Sequence, residues 1–239
     1  MPGLYKDEAV VLKTIKLGEA DRIVTLFTRA NGKVRAVAKG IRKTKSRFGA
    51  RLEPFTHATL VVYRGRDLDV VTSADIVTSF HEIRDHYPSL TSAAALAEMV
   101  DKITPERERA FSTYALLLAG LHALAERRGE SVVPAFAVKL LSISGYHPHL
   151  SACSSCGGGG PFAGLSAAVG GSVCERCARA DRSAYRMPPD RIPLLGRLLA
   201  SDFGHPAEPD AVADLVRALR GYAEYHLERP LRGLRFVAT

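Results

Sequence analysis

The chain has 239 residues, 46% hydrophobic and 24% charged, with a formal net charge of +8. That is enough length for a real core in one large or two small domains, and no stretch approaches the roughly 20 apolar residues that span a bilayer. Charges at Lys6, Asp7, Glu8, Lys13, Lys16 and Glu19 leave no signal-peptide core, so a cytoplasmic location is expected.

From Glu8 to about Ile76 the chain reads as strands. Ala9–Ile15 and Ala20–Thr28 are β-branched and apolar, and Asn31-Gly32 then offers the positive φ angles of a tight hairpin turn. Alternation over Lys33–Lys39 places Val34, Ala36 and Ala38 inward, with Lys33, Arg35, Val37 and Lys39 on the opposite face. Thr59–Arg64 turns at Gly65-Arg66 into Leu68–Thr72. Asp67, Asp69 and Asp75 read as a solvated edge. Five short strands fit a small barrel of the OB type. A five-stranded SH3-like barrel is the alternative, which periodicity does not separate.

The basic charge is concentrated here. Residues 1–80 hold 15 Lys and Arg against 8 Asp and Glu, a balance of +7 that is nearly all of the net charge. Between Lys33 and Arg51 lie Lys33, Arg35, Lys39, Arg42, Lys43, Lys45, Arg47 and Arg51, with no acid among them. Lys and Arg in such a run displace condensed counterions from a phosphate backbone, which drives binding without sequence preference. Phe48, between Arg47 and Gly49, is the best candidate for stacking on a base; Phe27 and Tyr63 lie in strands and read first as core. A solvated loop, or one that binds acidic protein or lipid, is the competing reading.

After Pro88 the period changes to 3.6. Leu96, Met99, Val100 and Ile103 mark one amphipathic helix. Thr104-Pro105-Glu106 reads as the N-cap, first position and first-turn acid of the next, which carries Tyr114, Leu118 and Leu121 and stops near Gly129. Further helices are expected over Val132–Ser144, Ile192–Ser201 and from Val212 to about His226, closed by Pro230. The organisation is therefore a barrel domain over 1–80, a helical domain in two parts over 81–150 and 181–239, and a cysteine module over 151–180 inserted between them.

That module contains Cys153, Cys156, Cys174 and Cys177, two Cys-x2-Cys pairs separated by seventeen residues. Each pair can grip one face of a tetrahedral ion, so one structural Zn²⁺ is expected. Redox dithiols, or exchange of one ligand for His147 or His149, are the alternatives. Four thiolates leave no open coordination position, which disfavours catalysis by the metal. His226-Leu227-Glu228 falls after both pairs, so the deaminase arrangement fails. No phosphate-binding G-x-x-x-x-G-K-[ST], nucleophile elbow or H-E-x-x-H occurs, and the chain reads as non-enzymatic.

The segments Glu8–Lys13, Leu17–Thr28, Gly32-Lys33, Ala38–Arg42 and Leu52–Phe55 resemble the opening of the bacterial RecO family, and Leu231–Phe236 is similar to its C-terminal signature. The paired cysteines resemble its zinc-bearing branch. The resemblance covers essentially the whole chain and implies an α+β multidomain protein: an N-terminal five-stranded OB-type β-barrel followed by an all-α domain carrying a four-cysteine zinc module. It further implies binding of single- and double-stranded DNA, annealing of complementary strands, and action with RecR to place RecA on DNA coated by single-strand-binding protein, whose acidic C-terminal tail is a family partner. Such a protein would be cytoplasmic and nucleoid-associated.

Overall fold

The computed structural model describes residues 3–237. Five strands, β1 (Leu4–Leu17), β2 (Asp21–Thr28), β3 (Gly32–Ala38), β4 (His57–Tyr63) and β5 (Asp69–Thr78), close into a barrel in the order β1-β2-β3-β5-β4. β1 pairs antiparallel with both β2 and β4, and β3 meets β5 in parallel at Val37 and Val70. This closure is the Greek-key arrangement of an OB-type barrel. Alternation works as expected: Val24, Leu26, Val34, Ala36, Leu60 and Val62 fill the interior, each no more than 1% exposed.

The β2–β3 turn takes a positive φ at Gly32 and not at Asn31. It is a three-residue loop, Arg29 to Asn31, with only Gly32 in the left-handed region at φ +67°. Asp7 holds it by accepting hydrogen bonds from the amides of Ala30 and Asn31, both at 3.2 Å, and from Asn31 Nδ2 at 2.7 Å.

The helical body comprises a one-turn α1 (His81–Arg84), then α2 (Tyr87–Ile103), α3 (Phe111–Ala125) and α4 (Val132–Ile143), and, beyond the cysteine module, α6 (Arg191–Ala200) and α7 (Pro209–Leu227). Their apolar stripes meet in one core with Leu96, Leu121, Phe136, Leu195 and Leu219 fully buried. Gly120 lets α3 approach closely: a Cβ there would lie 2.9 Å from Leu96 Cδ2 and 3.0 Å from Phe136 Cδ2. The C-terminal signature has a packing role. Glu98 of α2 accepts from the amides of Arg232 and Gly233, and a Cβ at Gly233 would meet Ala95 Cα at 3.0 Å.

The cysteine module is a small sheet in the order β7 (Gly171–Cys174), β6 (Phe162–Ser166), β8 (Ala184–Arg186), with α5 (Glu175–Ala180) following β7. Its last strand runs beyond residue 180. Leu165 and Ala167 join the helical core, so the module is packed onto the body.

Thr104 does not open a helix. It closes α2, donating its hydroxyl to Val100 O at 2.6 Å, and Pro105 cannot extend the helix beyond it. The following segment, 105–110, instead straps the barrel. Arg107 donates its amide to Lys33 O at 2.8 Å, and its guanidinium reaches Asp69 at 2.9 Å. The strap needs glycine at position 32, where a Cβ would lie 1.8 Å from Glu108 O.

Candidate nucleic-acid interface and metal centre

β3 continues into an irregular loop that closes in a 3₁₀ turn over Gly49–Leu52. Along this run Arg35, Lys39, Arg42, Lys43, Lys45, Arg47 and Arg51 all reach solvent. Among the described residues no ion pair joins an acid to any of the seven. The loop is shaped by backbone bonds: Gly40 at φ +70° donates to Asp21 Oδ1 at 2.7 Å, Arg42 N donates to Ala20 O at 2.9 Å, and Arg42 Nη1 reaches Gly18 O at 3.2 Å. These bonds tie the cationic loop to the β1–β2 turn, leaving the charged tips in solvent.

Two expected interface residues have other work. Phe48 is 1% exposed and sits with Leu52 among the barrel's interior side chains, plugging the barrel beneath the loop. Arg47 covers its ring at 5.0 Å, so Phe48 is not available for stacking. A large apolar ring gains more from burial than from a loop position. Lys33 is 8% exposed, and its ammonium donates to Asp101 O at 2.5 Å while lying 3.5 Å from the Asp101 carboxylate. It joins barrel to helix α2 and is not on the open surface. Of the other aromatics, Phe27 is fully buried, but Tyr63 is 44% exposed, because its strand ends there with alternation pointing it outward.

Sequence reading also missed the buried pair that locks the strap. Asp69 is fully buried and not part of a solvated edge. It accepts from Tyr5 Oη at 2.7 Å, Arg107 Nη2 at 2.9 Å and Gly65 N at 3.1 Å. Burial alone would raise its carboxyl pKa, but the Arg107 guanidinium, the Tyr5 hydroxyl and the Gly65 amide outweigh it and hold the group below the usual carboxylate range. The separation of Asp69 from Arg107 in sequence hides the pair. Lys13, half exposed, likewise joins Asp101 at 2.5 Å.

The four cysteine sulfurs lie within 4.8 Å of one another, with Cys156 Sγ and Cys174 Sγ 3.9 Å apart. Sulfurs at about 2.3 Å from a common tetrahedral centre stand about 3.8 Å apart, so the cluster has the size a metal requires. The loop bearing Cys153 and Cys156 folds back through Gly157 at φ +74°, and Cys153 N donates to Gly158 O at 2.8 Å. Burial disfavours the Cys153 thiolate, yet amides from Cys174, Cys156 and Ser155 bring the thiol down to about 6. Ser155 draws the Cys177 thiol downward, but the neighbouring sulfurs push it up to about 11. Four thiols this close cannot all ionise without a cation, and the donor set suits a borderline-soft divalent ion. His147 and His149 are turned to Ser142 and Ser151 and lie outside the cluster.

Fold and site together define a class: an OB-type barrel with a cationic surface that is free of acid partners among the described residues, held against a helical body that carries a four-cysteine cluster of a size that could hold a metal ion. The sequence matches the family descriptions "Recombination protein O N terminal" over residues 1–80 and "Recombination protein O C terminal" over residues 84–235. It is 42% identical to the DNA repair protein RecO of Frankia casuarinae over 240 residues, covering 98% of each chain. It is 41% identical to the RecO protein of Nocardioides sp., over 98% of this chain and 99% of the relative, and 40% identical to that of Thermobifida fusca, over 98% of each. The chain belongs to the RecO family. No helix among the described residues is long and apolar enough to cross a membrane.

Proposed function

We propose that this protein is a non-catalytic recombination mediator of DNA repair. It binds single- and double-stranded DNA on the barrel, anneals complementary strands, and with RecR helps load RecA on single strands coated by single-strand-binding protein, whose C-terminal tail it also binds. The observation that carries this reading is the set of seven solvent-facing cations from Arg35 to Arg51, none of them paired with an acid among the described residues. Annealing requires two phosphate backbones to approach. A cationic surface lowers their repulsion without sequence preference while leaving base edges free to pair.

The cysteine cluster would hold one Zn²⁺. Bound there, the ion would cross-link the Cys153–Cys156 loop to the β7–α5 junction and offer no reactive position, since four thiolates saturate it. Cys153 and Cys156 would anchor it from the loop, Cys174 from the end of β7 and Cys177 from α5. The protein would act in the cytoplasm, on the nucleoid.

The test is annealing of complementary fluorescent oligonucleotides, naked and precoated with single-strand-binding protein that is intact or lacks its acidic tail. Acceleration of naked strands, and of coated strands only when the tail is present, is the expected result. No acceleration of either would refute the reading.

A further inference from the structure

The four cysteines of the cluster are unequally sheltered. Cys153 is 2% exposed, and its sulfur accepts from the Cys174 amide at 3.4 Å. Cys174 and Cys177 are partly buried, whereas Cys156 is exposed. Cys156 stands at the head of the run Gly157–Gly160, all of which is exposed as well. Leaving aside chain neighbours, a Cβ at Gly157 or Gly159 would meet nothing within 4 Å, and one at Gly158 would meet a single atom, Cys156 Sγ, at 3.5 Å. Gly158 is outside the left-handed region, so its backbone does not itself require glycine. What the missing side chain leaves is an open path to the Cys156 sulfur. Across the hairpin, Cys174 Sγ lies 3.9 Å from that sulfur.

We infer that Cys156 is a peroxide-sensitive site whose oxidation to a disulfide with Cys174 releases the ion held by the cluster. The inference rests on the metal site proposed above. Metal-bound cysteines are thiolates, and an exposed thiolate reacts as a nucleophile where a buried one is inert. Cys156 Sγ attacks one oxygen of hydrogen peroxide, the O–O bond breaks and hydroxide leaves, giving a sulfenic acid. The Cys174 thiolate then attacks the Cys156 sulfur; the S–S bond forms, the S–O bond breaks and a second hydroxide leaves. Each sulfur gives up one electron, and one peroxide is reduced to two hydroxides. Cys153 and Cys177 alone do not complete a tetrahedral set, so the ion departs.

The consequence is local. The new bond keeps the Cys153–Cys156 loop tied to the end of β7, while α5, six residues long and seated through Ala178 and Cys177, loses its link to that loop. All four cysteines of the chain lie in this module, so the basic loop on the barrel carries no thiol for the same oxidant. Reduction of the disulfide with resupply of the ion restores the cluster.

The experiment uses full-length, zinc-loaded protein treated with hydrogen peroxide in the presence of a metallochromic chelator, followed by alkylation and peptide mapping. Chelator without peroxide should extract no metal over the same period. With peroxide, the wild type should release one ion per chain as two thiols are lost, with a Cys156–Cys174 link that dithiothreitol reverses. G158A and G158V place one and three carbons against the sulfur without touching a ligand. Both should load one ion and release it severalfold more slowly, G158V the slower of the two.

Retention of the ion by peroxide-treated wild type would overturn the inference, as would equal release by loaded wild type, G158A and G158V. A Cys153–Cys156 link in place of Cys156–Cys174 would overturn it too. If reduced wild-type protein holds no ion before peroxide is added, the metal site itself fails and the inference falls with it.

Discussion

Removal of Arg42, Lys43 and Lys45 together gives a quantitative test of the cationic loop. All three reach solvent and, among the described residues, none is in an ion pair with an acid, so Ala at these positions should leave the fold intact. Each phosphate neutralised on a single strand contributes about 0.7 to the slope of log K against log salt. Seven available cations set an upper bound near 5, and four remain in the R42A/K43A/K45A variant, for a slope near 2.8. Between 50 and 200 mM salt the wild type should therefore lose about 3 decades of affinity and the variant about 1.7. Arg42 and Arg51 donate to backbone carbonyls, so the measured slopes should fall below these bounds, and the difference between the proteins should be at most about 2.1. Anisotropy titrations of a labelled oligonucleotide at several salt concentrations give both values. Identical slopes and affinities for the two proteins would refute placement of the backbone on this loop.

Further outcomes follow from the surrounding structure. Phe48→Ala should lower unfolding stability by about 3–5 kcal/mol, the usual cost of emptying a buried phenylalanine site, with no change of salt slope where the variant is folded; a slope change would return Phe48 to the interface. Arg107→Ala should cost about 3 kcal/mol, because it leaves Asp69 buried without its counter-ion. The Asp69 carboxyl is depressed in the folded state, so its contribution is complete above its unfolded pKa near 3.9 and is lost as pH falls through the lower folded value. The stability gap between wild type and D69N should consequently narrow below about pH 4, and a gap constant with pH would contradict the assignment. Freshly purified, reduced protein should contain one Zn per chain by elemental analysis, and Cys153→Ser should lower thermal stability and solubility more than affinity for DNA. Metal-free wild-type protein of undiminished stability would remove the cluster's structural role.

The parts of this molecule that follow from local chemistry are legible in its sequence. Period-2 alternation placed Val34, Ala36 and Ala38 inside the barrel, and 3.6 periodicity marked the helices around Leu96 and Leu219. The two Cys-x2-Cys pairs announced their own convergence, because spacing alone restricts the loops that carry them. What stayed hidden depends on distant partners. Lys33 opens a basic segment that holds no acid, yet its role is decided by Asp101, on a helix far along the chain. Thr104-Pro105-Glu106 has the composition of a helix start, but a proline just past a helix end serves equally well, and the strap onto Gly32 favours the latter. Phe48 looks like a loop aromatic until the open end of the barrel is seen to need a plug.

The most direct test of the central claim, that the barrel's cationic surface brings strands together without chemical catalysis, is stopped-flow annealing of complementary oligonucleotides by the wild type and by R42A/K43A/K45A at one salt concentration. The expected result is acceleration by the wild type, with most of it lost in a variant whose thermal unfolding is unchanged. Equal acceleration by the folded variant, or none by the wild type, would contradict it.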